Sequence, residues 1–311
     1  MSTIPAATSM STNPAARFVA RCLVRRACVA SLACVTCLVV AGGAVAATPT
    51  QRDVAYGSDP AERYDVYVPT EAERATARAR HAPAVFFVHC GAWAHGDKAA
   101  PGLLDAKLAR WLPLGYVVIS VEYPLLPREH PLEQARDVAH ALAHARAHAS
   151  TFGADPRRFV VMGHSAGAHL VALIATSPAI ARAAGMFPPA GYVLLDTAAL
   201  DVASVMRSRH ARLYDRAFGR VAARWPEQSP LALLSGRGPP ILAVCSTRRR
   251  TSCSEARAFV AKALSIGTAA TLLEENLSHE EINRELGEPS TYTNAVDAFM
   301  RDCVTRVAPM R

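Results

Sequence analysis

Along most of this 311-residue chain, unbroken apolar runs alternate with amphipathic stretches. Residues 54–57 and 64–68 interleave apolar and polar side chains, which predicts two short antiparallel opening strands. Residues 84–88, 116–121, 159–162, 191–196 and 240–245 are almost wholly apolar. Such runs suit parallel strands covered on both faces. A last strand is expected over 269–273. Between the strands, 103–112, 133–148, 166–175, 254–264 and 291–303 read as helices. In 133–148 the apolar face comes from Val138, Ala139 and Leu142. The polar stretch 71–81 reads as a solvated loop or helical turn, and Asp155 as a turn former before the fifth strand. Strand–helix alternation on this scale predicts an α/β fold: a mostly parallel central sheet flanked by helices. The mixed segment 197–225, after the sixth strand, reads as a small cap insertion.

The first 46 residues follow another pattern. Arg17, Arg21, Arg25 and Arg26 precede an apolar stretch over 27–45, and Ala44-Val45-Ala46 fits a small-residue cleavage site. We read 1–46 as a secretory signal and 47–311 as the folded domain, with a periplasmic or secreted destination. The apolar stretch is also long enough to stay as a membrane tether if it is not cleaved.

Removing that segment changes the charge and cysteine arithmetic. It takes four of the 34 basic residues and none of the 26 acidic ones, leaving 30 against 26. A balance of +4, with no basic run interleaved with aromatics, gives no case for nucleic acid. Four cysteines remain: Cys90, Cys245, Cys253 and Cys303. In an oxidising compartment Cys245 and Cys253, flanking a short loop, are the preferred disulfide pair; free buried thiols are the alternative. No cysteine or histidine spacing suggests zinc. His140, His144 and His148 share one helical stripe, but no carboxylate motif accompanies them, so a solvated polar face is expected.

The chemistry concentrates at Gly163-His164-Ser165-Ala166-Gly167. It sits between an apolar strand and a small-residue helix, the context in which G-x-S-x-G forms a nucleophile turn. A serine there stands clear at a helix N-terminus, where unpaired N–H groups favour developing negative charge. A second small-residue loop, His89-Cys90-Gly91-Ala92-Trp93, follows the third strand. The N–H groups of Gly91 and Ala92, with that of Ala166, are the expected oxyanion donors. Trp93 is a candidate substrate wall, Tyr123 a second substrate contact, and His89 a loop brace.

These two motifs, with Gly96-Asp97-Lys98, resemble the α/β-hydrolase fold, in particular its esterase, lipase and kynurenine-formamidase-like branch. The resemblance covers roughly 50–302 and implies a serine hydrolase acting on esters or amides, without metal or organic cofactor. The family has glycine where Cys90 and Ala92 stand, and Leu125 stands where arginine is common in a Tyr-Arg turn. In this fold the base follows the last strand, where His279 lies.

The acid is the departure. The family slot follows Val244, and there the chain reads Ser246-Thr247-Arg248-Arg249-Arg250-Thr251-Ser252, with no carboxylate. Asp196, ending the preceding strand, is the preferred substitute; Asp201, Glu255 or no acid at all are the alternatives. The three arginines read as an exposed polar loop, or else as an anion site. The expectation is a carboxylesterase for small or medium acyl esters, with Ser165 as nucleophile, His279 as base and Asp196 as acid. An arylformamidase-like amide hydrolase is the near alternative. A non-catalytic binding protein on the same fold is the alternative of another class.

Overall fold

The apolar runs assemble into one eight-stranded sheet: β1 (Gln51–Ala55), β2 (Arg63–Tyr67), β3 (Ala82–Val88), β4 (Val117–Val121), β5 (Ala154–His164), β6 (Gly191–Leu195), β7 (Ile241–Ser246) and β8 (Ala270–Glu275). Its order is β1-β2-β4-β3-β5-β6-β7-β8. β2 runs antiparallel to β1 and β4, and every later pairing is parallel. This computed structural model describes residues 48–77 and 81–307, so the expected signal segment lies outside the described residues. Among the described residues no helix is long and apolar enough to cross a membrane.

Among the described residues, eleven α-helices connect and flank the strands: α1 (Glu71–Ala77), α2 (Asp105–Trp111), α3 (Pro131–Ala147), α4 (Ala166–Thr176), α5 (Pro178–Ala183), α6 (Val202–Arg207), α7 (Arg212–Phe218), α8 (Pro230–Leu233), α9 (Ser252–Ser265), α10 (His279–Arg284) and α11 (Thr291–Arg306). The period-two geometry of a strand splits each apolar run between two cores. On β3, Ala84, Phe86 and Val88 face a core shared with α3, α4 and α9. Val85 and Phe87 face the opposite core, shared with α2 and α11. Strands covered on both sides explain runs without polar interruption.

Three local expectations are corrected. The segment 71–81 opens as a true helix, because Thr70 and Glu73 cap it reciprocally: Glu73 N donates to Thr70 Oγ1 at 3.3 Å and Thr70 N to Glu73 Oε2 at 2.6 Å. Asp155 lies inside β5, which starts earlier than its apolar run; the buried carboxylate accepts from Arg157 N at 2.9 Å. The histidine stripe is only partly solvated. His144 stacks on His148 with ring centroids 4.2 Å apart, and its Nδ1 accepts from the Tyr64 hydroxyl at 3.0 Å. Among the described residues no cluster of three or more His, Cys, Asp or Glu could hold a metal ion.

The sheet carries its chemistry at one edge. His89 follows β3, Ser165 follows β5, Asp196 follows β6 and His279 follows β8. All four stand at carboxyl ends of parallel strands, where open α/β sheets form their clefts.

Candidate active site

Ser165 occupies the turn between β5 and α4 with φ 56° and ψ −116°, a conformation that L-residues rarely adopt. The two motif glycines explain how the turn closes. A Cβ on Gly163 would lie 2.5 Å from the Gly167 carbonyl carbon, and one on Gly167 would lie 2.3 Å from the Val88 oxygen. Gly167 therefore lets α4 press against the end of β3, which brings the nucleophile turn beside the His89–Trp93 loop. Ser165 N donates to Leu195 O at 2.9 Å and ties the turn to β6.

Ser165 Oγ lies 2.8 Å from His279 Nε2. His279 is the first residue of α10, whose start is fixed by a capping box between Ser278 and Glu281. His279 Nδ1 lies 2.6 Å from Asp196 Oδ2. These distances orient the imidazole: Nδ1–H donates to the carboxylate, which leaves Nε2 free to accept from the serine hydroxyl. His164 supports the base from below, donating through Nε2 to the His279 carbonyl at 2.8 Å. Burial pushes the His164 imidazole down to about 3, so it remains a neutral support.

Asp196 is fully buried and adopts a positive φ of 50°. Four donors converge on its carboxylate. Oδ1 accepts from Ser246 N at 2.8 Å and from the Ser252 hydroxyl. Oδ2 accepts from His279 and, at 2.8 Å, from Arg249 Nη1. Burial alone would raise this carboxyl. The His279 hydrogen bond, the Arg249 charge and the two serine donors outweigh it and hold the group well below the usual carboxylate range. The other acid candidates are occupied elsewhere. Asp201 caps α6 by accepting from Ser204 N, and Glu255 accepts from Leu200 N and Asp201 N. The structure thus brings Ser165, His279 and Asp196 together and keeps Asp201 and Glu255 out.

The loop after β7 corrects its expected reading as a merely exposed segment. Arg248 is exposed and pairs with Glu281 at 3.0 Å, but Arg249 turns inward to Asp196. Cys245 and Cys253 are joined as a disulfide and close this loop. Cys90 and Cys303 are free. Arg249, Ser246 and Ser252 were missed as site residues; the only sequence signal was an arginine run in the slot where a carboxylate was expected.

A cleft of about 490 Å³ opens beside Ser165. Gly91, Ala92 and Ala166 border it, as do Trp93 and His279. Leu213 and Tyr214 of α7 also border it, so the segment inserted after β6 forms part of its wall. The His89–Trp93 loop is strained: φ is 133° at Gly91, 53° at Ala92 and 62° at Trp93. Gly91 is obligatory there, because a Cβ would fall 1.7 Å from the His95 oxygen. His89 braces the loop, bridging Glu122 Oε1 at 2.8 Å and the Cys90 carbonyl at 2.7 Å. Tyr123 is a correction: it does not border the cleft. It is fully buried, its ring stacks on His89 and its hydroxyl donates to His89 O at 3.0 Å. Trp93 packs against His169, Tyr214 and Phe218, and its Nε1–H donates to His169 Nδ1 at 3.3 Å.

Comparison with known proteins agrees with this architecture. The BD-FAE family model matches residues 64–208, which include the His89–Trp93 loop and the Ser165 turn but not the arginine loop or His279. Esterase LipC of Mycobacterium tuberculosis is 30% identical over 224 residues, 68% of this chain and 54% of the relative. Isoprenylcysteine alpha-carbonyl methylesterase ICME of Arabidopsis thaliana is 33% identical over 122 residues, 39% of this chain and 26% of the relative. The chain thus spans between about a quarter and about half of the length of these relatives. Among solved structures, a truncated carbohydrate esterase from gut microbiota superposes with a TM-score of 0.68 at 16% identity, covering 85% of this chain and 98% of that one. A Thermogutta terrifontis esterase superposes with a TM-score of 0.64 at 19% identity, covering 83% and 93%. The chain has the α/β-hydrolase fold, and the relatives it matches here are named as esterases.

Proposed function

We propose that this protein is a serine carboxylic ester hydrolase that works through an acyl-enzyme. The observation that carries the reading is the continuous chain from Ser165 Oγ through His279 to Asp196, with contacts of 2.8 and 2.6 Å. Nucleophile, base and orienting acceptor are in the relation that acyl transfer needs.

Each group has a defined task. Ser165 Oγ attacks the ester carbonyl while His279 Nε2 takes its proton. Asp196 holds the tautomer and stabilises the imidazolium. Backbone N–H groups of Ala92 and Ala166, with that of Gly91 at the loop's start, hold the developing oxyanion at the N-terminus of α4. His279 then gives its proton to the leaving alcohol, and water repeats the cycle on the acyl-serine. A cleft of about 490 Å³ with Trp93, Leu213 and Tyr214 in its wall suits small or medium acyl groups. The names of the relatives support ester substrates. The reading of a non-catalytic binding protein drew on the lack of an acid after β7, and the His279–Asp196 contact takes that ground away. The basic and apolar N-terminal segment and the Cys245–Cys253 bond support export to an oxidising compartment.

Labelling with a fluorophosphonate probe, alongside turnover of p-nitrophenyl acetate and of N-formylkynurenine, tests the reading. The expected result is rapid labelling that Ser165→Ala abolishes, with the ester turned over far faster than the amide. A folded wild type that neither labels nor turns over ester overturns it. Preferential turnover of the formamide moves the assignment to an amide hydrolase.

A further inference from the structure

We infer that Arg249 is a positioning residue for the triad acid, held in place by the loop between Cys245 and Cys253. The inference rests on the esterase reading of the same site.

Arg249 grips one residue at two points. Its Nη1 donates to the Asp196 main-chain oxygen at 2.9 Å and to Oδ2 at 2.8 Å. A guanidinium nitrogen shared between the backbone and the side chain of the same aspartate fixes that side chain's rotamer relative to its own strand. Ser246 N and the Ser252 hydroxyl hold the other oxygen, Oδ1. All three donors come from the segment that starts at the end of β7 and runs into α9. The bond between Cys245 and Cys253 ties its two ends together. In place of a carboxylate, the loop supplies a cage of donors for a carboxylate on the neighbouring strand.

Arg249 also lies 3.1 Å from His279 Nδ1. With Nδ1–H given to Asp196, neither nitrogen can accept, so this contact is not a hydrogen bond between them. Two donors converge on one acceptor oxygen, and the direction of one constrains the other. Charge opposes this benefit, since a guanidinium disfavours imidazolium at short range, but the intervening carboxylate offsets much of that effect. The remaining guanidinium N–H groups have no protein acceptor among the described residues, and the side chain borders the cleft. A direct substrate contact is therefore the competing role, and the experiment has to separate the two.

A double-mutant cycle does so. kcat and KM for p-nitrophenyl acetate are measured in wild type, Arg249→Ala, Asp196→Asn and the double variant, with fluorophosphonate labelling of Ser165 in parallel. Positioning predicts that Arg249→Ala lowers kcat by about tenfold to a hundredfold, the cost of a misplaced catalytic group, with KM nearly unchanged. It also predicts no further loss in the Asp196→Asn background, because residues acting as one unit are non-additive. Millimolar guanidinium chloride should restore part of the kcat of Arg249→Ala, whereas sodium chloride should not. A rise in KM, or an undiminished effect in the Asp196→Asn background, overturns the inference. So does a loss of activity that merely tracks a lower Tm without guanidinium rescue. A wild type that neither labels nor turns over ester overturns the esterase reading instead. The downfield His279 Nδ1–H resonance then decides the clamp: it broadens in Arg249→Ala if the clamp orients the carboxylate, and stays unchanged if it does not.

Discussion

His279 Nδ1 and Asp196 Oδ2 lie 2.6 Å apart, joining an imidazole that follows β8 to a carboxylate that follows β6. The proposed acid is thus one strand earlier than the slot after β7 that the family resemblance implies. Asp196→Asn should lower kcat by roughly a thousand- to ten-thousandfold, since an amide stabilises the wrong imidazole tautomer. Asp201→Asn should leave kcat within about threefold, because Asp201 only caps α6. Steady-state kinetics on the two variants checks both statements; an active Asp196→Asn would mean that another group orients His279.

Glu255 predicts a pH-dependent change in stability. Burial pushes its carboxyl up to about 7. Its unfolded value is about 4.3, so the native state binds the proton more tightly. That contribution is fully present below about pH 4.3 and is lost as pH rises through about 7. Glu255→Gln keeps an acceptor for Leu200 N and Asp201 N but cannot ionise. It should be near neutral at about pH 4.5 and stabilising by roughly 1–3 kcal/mol at about pH 8. Urea unfolding of both proteins at the two pH values checks the sign; a difference that does not grow with pH would contradict it.

Gly167→Ala should be severe. The added Cβ would meet the Val88 and His89 carbonyl oxygens at 2.3 and 2.4 Å, and those atoms are backbone. Either α4 moves off β3 or the oxyanion loop shifts. The expected destabilisation is about 3 kcal/mol or more, in the range of overpacking against rigid atoms. Thermal unfolding together with the fluorophosphonate labelling rate checks it, and a variant with unchanged Tm and labelling would refute the close approach.

Losing the Cys245–Cys253 bond should cost both stability and turnover. The two cysteines are eight residues apart in sequence. Loop-closure entropy for so short a ring amounts to about 2.5 kcal/mol. A Cys245→Ala/Cys253→Ala double variant should therefore unfold at a lower Tm. It should also lose kcat more than KM, because Ser246, Arg249 and Ser252 all stand on the loop that this bond closes. Unchanged kcat in a destabilised variant would show that the donor cage holds without the covalent tie.

Much of this architecture was readable before any tertiary contact was known. Unbroken apolar runs marked the buried parallel strands, because a strand covered on both faces has no solvent side on which polar residues could recur. Gly163, Ser165 and Gly167 carried the nucleophile turn, since their spacing reflects a local steric demand. His279 was legible from its place after the last strand. Element ends were less so: the Thr70–Glu73 cap that starts α1 and the early start of β5 depend on single contacts rather than on period.

Tertiary packing alone decided which carboxylate meets His279, the inward turn of Arg249 and the place of Tyr123. Asp196 was preferred in sequence for its place after the preceding strand on the same sheet edge, with Asp201 and Glu255 as alternatives. They parted once backbone N–H groups claimed two of them and His279 the third. Arg249 resembled its exposed neighbour Arg248 because nothing local turns a side chain inward. Its direction follows from a buried carboxylate 53 residues away in sequence that needs compensation. Strand period and turn sterics are written within a few consecutive residues, whereas charge pairing links residues that only the folded sheet brings within reach.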